Sequence, residues 1–100
     1  MVEPLSPYFE AALDVAELVR DKQEAYGDSF GRSGKILEIL YPDGVPVNKL
    51  HDALTITRII DKIFRIANQK EAFNESPYFD ICGYALLALV RDKRNEKKKA

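Results

Sequence analysis

Arg58, Asp61, Lys62 and Arg65 stand three and four residues apart in a stretch whose other positions are mostly isoleucine and phenylalanine. At 100° per residue they fall within about 100° of one another on a helix, with Gln69 and His51 pointing the same way. A face with three cations and one acid can hold phosphate oxygens, and arginine offers a planar donor fork for that purpose. The same stripe also fits the solvated side of a long helix, where neighbouring opposite charges partly offset each other.

Asp80 comes next. It sits at the start of the following helix, where the helix dipole stabilises an acid. It could also ligate Mg²⁺ or orient a sugar, with Asp61 and Glu75 as the nearest possible partners across a short hairpin. That ligand set is sparse, so Asp61 and Asp80 stand only as weak metal candidates. Upstream, Lys22, Tyr26, Gly27 and Phe30 combine a cation, two aromatics and a glycine hinge. An aromatic wall beside a cation suits a nucleobase and its phosphates, and it equally suits a helix cap whose aromatics plug the core. Glu10, Asp14, Glu17, Asp21 and Glu24 form an acidic ladder, of which Glu17 and Asp21 could face the same cleft as Asp80. Such ladders are more often solvent-facing. The lone His51 reads as structural or exposed, and the lone Cys82 as a small core residue.

These side chains require four helices to position them. Ser6-Pro7 is a cap-then-proline start, and Gly27 ends the helix it opens. The three glycines of residues 27–34 read as a loop, followed by a short helix from about Lys35 to Tyr41. Pro42-Asp43-Gly44 is a turn. Asn48 reads as the N-cap of a helix reaching about Lys70, and Ser76-Pro77 repeats the start signal for a fourth. The short link between the last two makes them an antiparallel hairpin. Residues 81–90 are apolar all round, so this helix should lie centrally or under a partner chain. Gly83 within it costs about 1 kcal/mol relative to alanine, which suggests the close approach of another helix.

The expected fold is therefore all-α: a four-helix, up-down, bundle-like single domain over residues 1–90 with a fraying basic tail over 91–100. A chain of 100 residues with 46% apolar and 31% charged residues is an ordinary globular mix. It is small enough that stability through self-association is expected. The formal net charge of −1 gives no case for nucleic-acid binding, although the tail holds six of the fifteen basic residues. One cysteine excludes an internal disulfide. With no signal-peptide pattern and no apolar run of bilayer length, a cytoplasmic protein is expected, with no membrane association.

Three stretches taken together resemble one family: Lys22-Gln23-Glu24-Ala25-Tyr26-Gly27 with Phe30, then Arg58-Ile59 with Asp61-Lys62-Ile63 and Arg65-Ile66, then Asp80-Ile81 with Gly83-Tyr84-Ala85-Leu86. Their order and spacing are similar to the first type of nucleotide-modification-associated domain, found mainly in phages and prophages. The resemblance spans about residues 13 to 90. It implies a nucleotide-binding domain tied to modified-nucleotide metabolism, with Lys22, Tyr26, Phe30, Arg58, Lys62, Arg65, Asp80 and Tyr84 as ligand-binding residues. That family is distantly similar to the MazG-like all-α NTP pyrophosphohydrolases, which are usually oligomeric and hold Mg²⁺ with E-x-x-E and E-x-x-D motifs. Asp80 matches the last acid of E-x-x-D, but Pro77 stands at its first position. Where the relatives carry two glutamates, this chain has Arg58, Asp61, Lys62 and Arg65.

The leading expectation is thus a nucleotide, or another phosphate-bearing small molecule, bound by a homo-oligomer without a resident cofactor. The alternatives are a Mg²⁺-dependent (d)NTP pyrophosphohydrolase using Asp80, Asp61 and Glu17 or Glu75, and a non-catalytic helical module that binds a partner.

Overall fold

A computed structural model describes residues 6–99. Residues 1–5 of the expected domain and Ala100 of the expected tail lie outside the described residues. Four α-helices follow one another: α1 (Ser6–Tyr26), α2 (Ser29–Leu40), α3 (Leu50–Gln69) and α4 (Pro77–Lys99). No strand occurs among the described residues, and the chain is the all-α, bundle-like fold its periodicity calls for.

Helix ends follow from particular residues. α1 closes in a Schellman motif: the Gly27 N–H donates to the Glu24 carbonyl and the Asp28 N–H to that of Gln23. Gly27 has φ +58°, and a Cβ there would lie 2.2 Å from the Asn68 amide, so close helix approach and left-handed backbone both call for glycine. Asp28 is also left-handed, and its carboxylate accepts the Gly31 N–H at 3.1 Å, which caps α2. The glycine-rich segment expected as a loop is therefore the first half of α2. Gly31 and Gly34 weaken a helix locally, and packing of α2 against α3 holds it. Asn48, expected as the cap of α3, instead lies inside a 3-10 turn, Val47–Lys49, that starts from extended Pro46. Lys49 occupies the cap position, with no side-chain hydrogen bond.

α3 is the spine, and α1, α2 and α4 all pack against it. Its pairs with α4 fix an antiparallel register. Asp52 meets Arg91, Arg58 meets Tyr84 and Lys62 meets Asp80, while Arg65 meets Glu75 in the connection just before α4. The Arg91–Asp52 pair lies beyond the expected end of α4 near Val90. The basic segment is continuous with that helix as far as Lys99 rather than a frayed tail.

Apart from Pro77 at the start of α4, only Ala25, Ala53 and Ile60 are buried apolar residues among those described. Leu86, Leu87 and Leu89 on α4 are exposed, and so is Cys82, contrary to its reading as a core residue. A Cβ on Gly83 would meet nothing within 4 Å among the described residues, so the expected close approach of another helix is not seen there. No helix among the described residues is long and apolar enough to cross a membrane.

Candidate functional site

Helical spacing brings the chemistry-bearing residues together from every helix. Lys22 and Tyr26 are one turn apart on α1, Arg58, Asp61 and Lys62 are one turn apart on α3, and Asp80 and Tyr84 are one turn apart on α4. Lys22, Tyr26, Ser29, Arg58, Asp61, Lys62 and Tyr84 line one open cavity of about 280 Å³. Five of the eight residues expected to bind ligand are in that lining.

Lys62 is its centre. Its ammonium donates to the Tyr26 hydroxyl at 3.4 Å and pairs with the Asp80 carboxylate at 3.3 Å. Nζ lies 5.7 Å from the Tyr26 ring centroid, so it approaches past the hydroxyl end rather than over the ring face. The side chain is 16% exposed and that of Asp80 29%. Burial pulls the ammonium's pKa down, but the Tyr26 hydroxyl and the Asp80 carboxylate together outweigh it and hold the pKa above that of an ordinary lysine. Lys62 is therefore a fixed cation. An ammonium has three donors, and these two partners leave one for a ligand.

Arg58 projects beside it with its guanidinium 5.7 Å from the Tyr84 ring centroid. Lys22 lies 6.0 Å from the ring of Phe73, which in turn stacks on Tyr26 at 6.3 Å and 24°. Phe73 had no signal in the sequence. It stands in the α3–α4 connection with φ +65°, followed by Asn74 at +53°. Two consecutive left-handed residues that are not glycine are strained, and such strain persists only where surrounding contacts hold it.

Arg65 supplies that hold. It is 0% exposed, and its Nη2 donates to the Lys70 and Glu75 carbonyls. Its Nη1 is 4.0 Å from the Glu75 carboxylate, too far for a hydrogen bond, and Nε and Nη1 have no partner. The expected phosphate ligand Arg65 is thus buried outside the cavity lining, as a staple of the connection. Periodicity placed it on the right face, but not at the right depth.

Phe30 is 94% exposed and lines a second, apolar groove of about 610 Å³ with Leu18, Val19 and Gln23. The groove and the cationic cavity share Lys22, Tyr26 and Ser29. His51 is exposed and outside both.

No family model matches this chain, and no curated protein or solved structure shows significant similarity to it. The site has to be read from its own chemistry.

The donor set does not fit Mg²⁺. Three cations and one carboxylate, Asp61, line the cavity, and the adjacent Asp80 is paired with Lys62. Glu17 and Glu75 are not in the lining. Among the described residues no three His, Cys, Asp or Glu side chains gather. A hard dication would meet net repulsion here, whereas a polyanion would be attracted.

Proposed function

We propose that this cavity binds the phosphate groups of a nucleotide, and that the chain is a nucleotide-binding domain. The observation that carries the reading is the convergence of Lys22, Arg58 and Lys62 with the rings of Tyr26 and Tyr84 on one cavity. Arg58 offers a bidentate fork, and Lys22 and Lys62 act as point charges. Asp80 holds the Lys62 ammonium in place. A cavity of about 280 Å³ is small for a whole nucleotide, so the phosphates occupy it and the base extends along Tyr26 into the groove beside Phe30. The resemblance to phage-linked nucleotide-modification domains supports the same ligand class and points to modified nucleotides.

Hydrolysis of the pyrophosphohydrolase type would need carboxylates to hold Mg²⁺ against the phosphates. Asp61 stands among three cations in the lining and Asp80 is engaged by Lys62, so the reading is binding rather than turnover.

A thermal-shift screen over natural and base-modified deoxynucleotides, with and without Mg²⁺, tests it. A ligand at 100 times its Kd adds about 2.7 kcal/mol of apparent stability. Triphosphates should stabilise the protein without Mg²⁺, and nucleosides should do so far less. No shift with any triphosphate contradicts the reading.

A further inference from the structure

Every residue of α1 from Ser6 to Glu24 is exposed. Only the C-terminal end of this 21-residue helix is covered, at Ala25 and Tyr26. An isolated helix of this length is marginal in water, and most helical stability comes from packing an apolar face. Tyr8, Val15, Leu18 and Val19 lie within about 100° of one another, Phe9 and Leu13 lie on a second edge, and all six are more than half exposed.

The second half of α4 is similarly bare. Leu86, Leu87, Val90, Arg94 and Lys98 line a groove of about 480 Å³ that is apolar at one end and basic at the other. On α1, Phe9 and Leu13 share an edge with Glu10, Glu17 and Glu24, within about 100° of one another. Apart from Glu10, which lies between Phe9 and Leu13, that edge is apolar first and acidic after. The α4 groove is apolar first and basic after, and the two run for similar lengths.

The chain's surface has the size of a missing interface. Its accessible area is 8139 Å², against about 5,800 Å² for a folded monomer of this mass. The surplus of about 2,400 Å² exceeds the roughly 800 Å² that a standard interface takes from each partner and is of the obligate class. The radius of gyration, 18.2 Å, compares with about 13 Å for a compact domain of 100 residues.

We infer that a second copy of this chain covers the Phe9–Leu13 edge of α1 and the bare half of α4, with α1 of each copy seated in the α4 groove of the other. Phe9 and Leu13 lie on Leu86, Leu87 and Val90, and Glu17 and Glu24 face Arg94 and Lys98. The exchange is reciprocal, so it closes as a two-fold dimer rather than extending. It stands independently of any ligand.

Analytical ultracentrifugation of a charge-reversal cycle tests the pairing. The unaltered chain should sediment as a dimer. Glu17→Lys with Glu24→Lys should weaken it about tenfold or more, and so should Arg94→Glu with Lys98→Glu. All four together should return the dissociation constant to within about threefold of the unaltered chain. A monomer, a dimer indifferent to either reversal, or a combination without rescue overturns the inference. Carbodiimide cross-linking of a mixture of ¹⁴N and ¹⁵N chains checks the unaltered protein, should a variant fail to fold. Cross-links from α1 carboxylates to α4 lysines should join light to heavy chains, and their absence between chains overturns it equally.

Discussion

Lys62 and Asp80 form an ion pair at 3.3 Å across the antiparallel α3–α4 hairpin, and the same ammonium donates to the hydroxyl of Tyr26 on α1. One side chain therefore ties three helices together at the wall of the cavity. Lys62→Ala should lower nucleotide affinity by about tenfold or more, the scale of one charge-assisted contact. Both partners are partly solvated, so its stability cost should stay near 1 kcal/mol. Circular dichroism with denaturant melts separates the two effects.

The pair also sets a pH dependence. Folding raises the Lys62 pKa, so its contribution is fully present below the ordinary lysine value of 10.5 and is lost as pH rises through the folded value. Above pH 10.5 the unaltered protein should lose thermal stability more steeply than Lys62→Met. Parallel melting curves for the two across that range would show that Lys62 is not held as described.

Arg65 should behave as a staple. Arg65→Ala leaves a cavity and frees the Lys70 and Glu75 carbonyls, and should cost about 2–4 kcal/mol. Arg65→Met keeps most of the packing and removes two buried nitrogens, Nε and Nη1, that have no partner among the described residues, so it should cost clearly less. Urea midpoints for the two variants give the comparison. Equal losses would mean that the charge itself is needed.

The two helix-associated glycines at positions 27 and 83 should respond in opposite directions. Gly27→Ala meets both a left-handed backbone and the Asn68 side chain, and should destabilise by about 1–2 kcal/mol. Gly83→Ala enters open space within α4 and should stabilise the helix by up to about 1 kcal/mol. A destabilised Gly83→Ala would place another surface against that point.

What could be read from the residues alone divides along physical lines. Pro77 and Gly27 mark helix ends because their backbone preferences are local, and periodicity put Arg58 and Lys62 on one face of α3; Lys22 and Tyr26 came from a local motif and Tyr84 from the resemblance, and all five line one cavity. The start of α2 was not legible, because Gly31 and Gly34 weaken a helix locally while its packing on α3 depends on the whole fold. Depth was not legible either. Arg58 and Arg65 share a stripe, yet one is exposed at the cavity and the other sealed beneath a strained turn. The contribution of Phe73 depends on a left-handed backbone at a phenylalanine, which nothing local foretells.

The central claim is that Arg58 and Lys62 hold phosphate. Calorimetric titration of a deoxynucleoside triphosphate into the unaltered chain, Arg58→Ala and Lys62→Ala tests it most directly. The expected result is binding that weakens with added salt and falls about tenfold or more in each variant, with helix content retained. Equal affinity in all three proteins would contradict it.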